Sequence, residues 1–141
     1  MSAVAEKGGD RAANESRRAA LMDMYRAFNA RDAEAATSRM TPDVDWPNGT
    51  TDGRVCGPSA VRRYWENQWR EMDPRVEPLK VDFDDAGDAH VRVHQLVRSR
   101  DGAILEDRKI EHIFGFEGPF ISRMTVVDRD PEPDDDEEDE E

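Results

Sequence analysis

Residues 21–69 decide the fold of this chain: LMDMYRAFNARDAEAATSRMTPDVDWPNG occupies residues 21–49, and GRVCGPSAVRRYWENQW occupies residues 53–69. In the first segment, apolar side chains recur every three or four residues, as they do on one face of a helix. The spacing predicts a first helix that begins at the N-cap Asn14 and ends near Ala30, with an apolar face made of Leu21, Met24, Tyr25 and Phe28.

A second helix, a short strand and a third helix are expected next. Asp32 is a suitable N-cap for a helix over residues 33–40, which Pro42 prevents from continuing. Residues 43–46 predict a short strand. Pro58 favours the start of the third helix, because its fixed φ suits the first turn. The apolar and aromatic positions of that helix share one face, made of Val61, Tyr64, Trp65, Gln68, Trp69 and Met72.

The remainder of the chain has the pattern of strands. Four segments rich in valine, isoleucine and phenylalanine are separated by short turns of aspartate, glycine and proline. They cover residues 76–83, 90–99, 103–116 and 120–127. Consecutive strands joined by tight turns form an antiparallel meander, so the helices followed by strands predict an α+β fold.

This order of elements resembles the cone-shaped fold of the nuclear transport factor 2-like superfamily, in particular its SnoaL-like and ketosteroid-isomerase-like branches. The resemblance implies three N-terminal helices packed on a strongly curved, mainly antiparallel sheet that encloses a pocket. It also implies a homodimer through the open face of the sheet. Isomerases, dehydratases, cyclases and non-catalytic binding modules all use this fold, so the resemblance locates the site without naming the reaction.

The charge of −13 over 141 residues is concentrated at one end of the chain. Residues 128–141 have a net charge of −10, which leaves −3 for the rest. Without a basic surface, the chain lacks the usual signature of a nucleic-acid-binding protein. We expect one SnoaL-like domain over residues 14–129, with disordered segments at residues 1–13 and 130–141. The acidic tail either solubilises the domain or attracts a basic partner.

Cys56 is the single cysteine, so an intramolecular disulfide cannot form and a reducing cytoplasm is the simplest location. No segment is long and apolar enough to predict a membrane span. The sequence also has no glycine-rich phosphate loop and no cluster of metal ligands, so neither a cofactor nor a metal is implied.

Alternation along the predicted strands indicates which side chains face the pocket. In the strand over residues 90–99, the valine face includes Gln95, whereas His94 lies on the opposite face. A one-residue change in the hairpin register would turn His94 inward in place of Gln95. In the next strand, Arg108 and His112 share a face with aliphatic residues.

His112 is the leading catalytic candidate, although a histidine in such a face is often a structural core residue. By resemblance, it takes the strand position of the protonated aspartic acid in the oxyanion hole of ketosteroid isomerases. Tyr25 matches the catalytic tyrosine of those enzymes to within one residue. Trp46, however, takes the position of their general base before Pro47, which argues against steroid isomerisation.

The resulting interpretation is a pocket for a small, largely apolar molecule. In an enzyme of the isomerase, dehydratase or cyclase type, His112 would transfer a proton, and Tyr25 with Gln95 or His94 would orient a carbonyl group. The remaining candidate ligand-binding residues are Trp46, Trp65, Trp69 and Arg108. The alternative is a non-catalytic ligand-binding or protein-interaction module.

Overall fold

The computed structural model describes the backbone of residues 2–48 and 53–127, with side chains from Arg11 onward. The described residues form an α+β domain in which helices pack on one six-stranded sheet. In chain order the elements are α1 (Ser2–Asn29), α2 (Ala33–Ala36), β1 (Met40–Pro47), β2 (Arg54–Cys56), α3 (Pro58–Glu71), β3 (Met72–Phe83), β4 (Ala89–Ser99), β5 (Ile104–Glu117) and β6 (Phe120–Val127).

The strand order across the sheet is β2-β1-β6-β5-β4-β3. Strands β3 to β6 form the predicted antiparallel meander, and β1 joins β6 in parallel. The pairing register shifts in several strand pairs, including β3–β4 and β4–β5. Such irregularities bend and twist strands, which helps one face of the sheet to close around side chains. Strand β3 is an edge strand and therefore tolerates Pro74 and Pro78, which lack an N–H to donate.

The end of α1 is fixed to the edge of the sheet. The Asn29 side chain donates to the Val76 carbonyl at 2.8 Å and accepts from the Val76 N–H at 2.9 Å, as a neighbouring strand would. Arg31 then has a φ of 65°, a left-handed conformation that ends the helix. Asp32 begins α2, as predicted, by accepting a hydrogen bond from the Ala35 N–H at 3.1 Å.

Helix α3 begins where the sequence predicts it. Gly57 is the N-cap with a φ of 91°, and Pro58 is the first helical residue. A Cβ at position 57 would lie 3.3 Å from the Pro42 carbonyl oxygen, so both the φ and the space favour glycine. Val61 and Trp65 are buried on the inner face of this helix.

The first helix is longer than the sequence predicts. It begins at Ser2 and not at Asn14, so residues 2–13, which were expected to be disordered, are helical in the structure. Four alanines lie there with one glutamate, one lysine and one arginine, and their high helix propensity offsets Gly8 and Gly9 and extends a helix whose later turns are packed on the sheet. The predicted disordered tail, residues 130–141, lies outside the described residues.

The second helix is shorter than predicted, and β1 is longer. Helix α2 ends at Ala36 because residues from Met40 onward are already in the sheet. Met40 is opposite Ile121 in β6, and the Ile121 N–H donates to the Arg39 carbonyl at 2.8 Å. The three-residue strand β2 was not predicted, since it is too short for a pattern to be visible.

The core lies between α1, α3 and the inner face of the sheet. Its largest side chains without solvent exposure are Leu21, Val44, Val61, Val91, Val93, Phe114 and Ile121. Phe114 lies near the centre and makes edge-on contacts with the rings of Tyr25 and His112. It therefore supports both the core and the polar pair next to it.

We predict that Phe114→Ala lowers the free energy of unfolding by about 3–5 kcal/mol, because it removes a fully buried ring and leaves a cavity. Denaturant titration followed by tryptophan fluorescence would measure the loss. Phe120→Ala is the matched control, since Phe120 is 46% exposed and its truncation should lower the free energy of unfolding much less. Equal losses in the two variants would contradict this description of the core.

Candidate functional site

A pocket of about 480 Å³ lies between the helices and the inner face of the sheet. Helices α1 and α3 form one side, and strands β1, β3, β4, β5 and β6 form the others. Most of its lining is apolar and aromatic, including Phe28, Trp46, Tyr64, Trp65 and Ile110. A volume of this size fits a small organic molecule of two or three rings.

The most polar feature of the inner pocket is a hydrogen-bonded pair, here called the Tyr25–His112 dyad. The Tyr25 hydroxyl lies 2.8 Å from His112 Nδ1, and the two rings are nearly parallel with centroids 6.0 Å apart. Tyr25 is 3% exposed and His112 is 6% exposed. Within the described part of the chain, His112 makes no other side-chain hydrogen bond, so Nε2 can interact with a ligand.

Burial holds both members of the dyad in their neutral forms. Desolvation lowers the pKa of His112 to about 4 and raises the pKa of Tyr25 well above its usual value. Around neutral pH the dyad therefore contains an uncharged imidazole and an uncharged phenol. The arrangement offers hydrogen-bond donors and acceptors to a ligand without placing a charge in the apolar interior.

Aromatic rings form the walls around the dyad, and Trp46 and Trp65, two of the candidates from the sequence, line the pocket. The Trp46 ring is perpendicular to the Trp65 ring at 5.5 Å, and Phe28 contacts Trp65 at 5.2 Å. Trp69 is not among the pocket-lining residues. It packs behind the wall, against Phe28 and under the Arg31 guanidinium, because it lies one helical turn beyond Trp65.

The hairpin register decides which β4 side chain faces the pocket. Val91 is opposite His112 and Gln95 is opposite Arg108, so Gln95 lies on the pocket side. His94 lies on the outer face, where its Nε2 is 2.6 Å from a carboxylate oxygen of Asp107. The predicted alternative with His94 inward is therefore not the arrangement in this structure. The simple alternation along β4 is preserved through this segment.

A second polar group lies where the pocket approaches solvent. Gln95 Nε2 donates to the Glu106 carboxylate at 3.0 Å, and Arg108 donates to the same carboxylate oxygen at 3.2 Å. Glu106 was not singled out in the sequence, although it has the same strand parity as Arg108 and His112. Gln68 and Tyr64 of α3 also line the pocket, where the sequence pattern assigned them only to a helix face.

The position of the general base in ketosteroid isomerases has no equivalent carboxylate here. Trp46 is 4% exposed and its ring faces the interior. Asp45, one residue earlier, points away and accepts a hydrogen bond from Arg54 Nε at 2.6 Å. Strand alternation thus removes Asp45 from the pocket.

Neither a metal site nor a membrane-spanning helix is found in the part of the chain that the structure describes. No group of three or more histidine, cysteine, aspartate or glutamate side chains is arranged to hold a metal ion there. None of the helices within residues 2–48 and 53–127 is both long and apolar enough to cross a bilayer.

Comparison with protein families gives a match to the SnoaL-like domain over residues 21–128. Curated protein sequences yield no match. Among solved structures, TerC co-crystallised with polyporic acid is similar with a TM-score of 0.70 and 21% identity, covering 79% of this chain and 90% of TerC.

Two further structures are related to cyclisation. A candidate polyketide cyclase from Sinorhizobium meliloti has a TM-score of 0.65 and 20% identity, covering 76% of this chain and 92% of its own. SalBIII is an epoxide hydrolase/cyclase-like enzyme in pyran ring formation in the polyether salinomycin. It has a TM-score of 0.63 and 17% identity, and the match covers 80% of this chain and 90% of SalBIII. At these identities the similarity establishes a shared fold.

The buried neutral state of His112 predicts a pH-dependent stability. In the unfolded chain the histidine pKa is about 6.5, so the unfolded state binds the proton first as the pH falls. Stability from this source is complete above pH 6.5 and is lost as the pH falls toward 4. Between pH 7 and pH 5 the free energy of unfolding should fall by about 2 kcal/mol more in the wild-type protein than in His112→Gln.

Urea denaturation at several pH values would measure this difference. Loss of packing in His112→Gln lowers the free energy of unfolding at every pH. The titration of His112 instead makes the free energy of unfolding of the wild-type protein depend more steeply on pH. Parallel curves for the two proteins would contradict the neutral, buried state of His112.

Proposed function

We propose that this chain, which belongs to the SnoaL-like domain family, binds a small, largely apolar molecule with a carbonyl or hydroxyl group and catalyses a proton transfer on it. The observation that carries the proposal is the 2.8 Å hydrogen bond between Tyr25 and His112 at the inner end of the pocket. The cyclase-related structures with the same fold are consistent with this class of chemistry.

The dyad has two neutral tautomers, and each offers the ligand a different set of groups. In one, Nδ1–H of His112 donates to the Tyr25 oxygen, which leaves the phenol hydrogen as a donor and Nε2 as an acceptor. In the other, the Tyr25 hydroxyl donates to Nδ1, and Nε2–H is the donor. Passing from the first tautomer to the second takes up a proton at Nε2, transfers the Nδ1 proton to the Tyr25 oxygen and releases the original phenol proton.

This exchange matches the conversion of a ketone to its enol. Nε2 of His112 takes a proton from the carbon next to the carbonyl, Nδ1 passes its proton to the Tyr25 oxygen, and the Tyr25 hydroxyl proton goes to the carbonyl oxygen. The C–H bond breaks, the O–H bond of the enol forms, and the dyad changes only its tautomer. Each group is a general acid or base at the atom it touches.

The pKa shifts favour such a relay over a stepwise route through ions. Burial disfavours both the imidazolium and the phenolate, so a path that creates neither avoids the desolvation cost of a buried charge. The walls formed by Trp46 and Trp65 would hold the apolar part of the ligand beside the dyad. Positioning of this kind supplies much of the rate in reactions of bound ketones.

Exchange of hydrogen for deuterium next to the carbonyl of acetylnaphthalene tests the proposal. In D₂O the wild-type protein should accelerate exchange, followed by proton NMR. Tyr25→Phe and His112→Gln should each reduce the acceleration by at least about 100-fold, because each breaks the relay. His94→Gln is the matched control, since it makes the same change on the outer face and should retain the rate.

Tryptophan fluorescence during ligand titration separates binding from catalysis. Wild-type protein that binds acetylnaphthalene but does not accelerate exchange would contradict the catalytic proposal. That outcome would instead identify a non-catalytic ligand-binding module, the alternative considered from the sequence.

We also propose that the chain is a homodimer through the outer face of the sheet. Helices cover the inner face, whereas β4 and β5 expose a surface that includes His94, Lys109 and the apolar side chains of Ile104 and Leu105. Light scattering at micromolar concentration should give the mass of two chains. A monomeric mass would refute the proposal.

A further inference from the structure

The outer end of the pocket contains a polar cluster that the proton relay does not use. We call Gln95, Glu106 and Arg108 the rim cluster, because all three line the pocket while the side chains of Glu106 and Arg108 are 31% and 40% exposed. One Glu106 carboxylate oxygen accepts hydrogen bonds from both neighbours, at 3.0 and 3.2 Å. These contacts align three polar side chains on two adjacent strands.

The rim cluster and the dyad lie at opposite ends of one wall. Arg108 and His112 are four residues apart on the same face of β5, and the register with β4 is unbroken between them. At a rise of about 3.4 Å per residue, their Cα atoms are about 14 Å apart. Ile110 lies between them and is 3% exposed. The wall is thus polar at each end and apolar in the middle.

The rim cluster has a balanced charge. The Arg108 guanidinium is positive, but its hydrogen-bond partner Glu106 is a carboxylate, so an anionic ligand would meet repulsion as well as attraction. The cluster instead places N–H donors of Gln95 and Arg108 beside carboxylate acceptor sites. An uncharged hydroxyl group can use both, because it donates one hydrogen bond and accepts others.

We infer that the ligand is an elongated apolar molecule with an oxygen group at each end, the outer one being an uncharged hydroxyl. This inference rests on the proposed function, since the dyad is taken to bind the inner oxygen. It adds that the rim cluster selects the substrate by length and by the charge of its outer end. Glu106 accepts from the outer hydroxyl, and Arg108 or Gln95 donates to its oxygen.

Three ligands with the same biphenyl body test the inference: p-phenylphenol, p,p′-biphenol and p-(p-hydroxyphenyl)benzoate. All three present a phenol to the dyad, and they differ only at the other end. For wild-type protein, titration followed by tryptophan fluorescence should give about tenfold tighter binding of p,p′-biphenol than of p-phenylphenol, which corresponds to about 1.4 kcal/mol. The benzoate should bind no more tightly than p-phenylphenol.

Charge-changing variants separate the members of the cluster. Glu106→Gln should reverse the preference, with tighter binding of the benzoate than of p,p′-biphenol, because the repelling carboxylate is gone and Arg108 remains. Arg108→Gln should remove the advantage of p,p′-biphenol and leave p-phenylphenol unaffected. Lys109→Gln is the matched control, since it removes a positive charge from the next residue on the opposite face.

The outcomes distinguish this inference from the proposed function. Equal affinities of wild-type protein for p-phenylphenol and p,p′-biphenol, or tightest binding of the benzoate, would overturn the inference while deuterium exchange of acetylnaphthalene still proceeds. Failure of all three ligands to bind, together with loss of that exchange, would overturn both. If Lys109→Gln removed the advantage of p,p′-biphenol as Arg108→Gln does, recognition of the outer hydroxyl by the rim cluster would also be overturned.

Discussion

The hydrogen bond between Tyr25 and His112 satisfies two polar groups in a core that is otherwise apolar. Burial of either group without a partner would lower the free energy of unfolding by roughly 1–3 kcal/mol. Because Tyr25 belongs to α1 and His112 to β5, their mutual satisfaction fixes how the helix lies over the sheet. The pair of hydrogen bonds between the Asn29 side chain and the Val76 backbone fixes the C-terminal end of the same helix. Between these anchors the pocket remains open.

The aromatic residues explain why the space between helix and sheet is not filled. Phe28 and Trp46 each contact the Trp65 ring at a steep angle, with centroids 5.2 and 5.5 Å from it. Edge-to-face rings are large, rigid and mutually supporting, so they line a cavity without collapsing into it. A pocket built in this way is already formed before binding, and the ligand then loses less free energy to ordering the protein.

The chemistry of this member of the SnoaL-like family follows from its own side chains, because the fold alone is compatible with many reactions. Trp46 forms part of the apolar wall, and the Asp45 carboxylate accepts a hydrogen bond from Arg54 outside the pocket. Proton transfer would therefore depend on the neutral dyad at the inner end. At the outer end, charges are present but paired, in Glu106 and Arg108. The pocket thus has uncharged polar groups at its inner end and an ion pair at its outer end.

The sequence by itself determined the α+β class, the four-stranded meander, the beginnings of α2 and α3, and the inward side of β5. These features depend on local periodicity and on caps such as Asp32 and Gly57-Pro58, which act within a few residues. The early end of α2 was not predictable, because Met40 pairs with Ile121, which lies far away in sequence. Strand β2 is too short for a pattern to be visible. The start of α1 was missed because Gly8 and Gly9 locally disfavour a helix. Only the tertiary structure decided that Tyr25 meets His112, that Gln95 and not His94 faces the pocket, and that Trp69 packs behind the wall. The physical reason is that these outcomes depend on the hairpin register and on the placement of helices over the sheet, and both are set by contacts between residues remote in the chain.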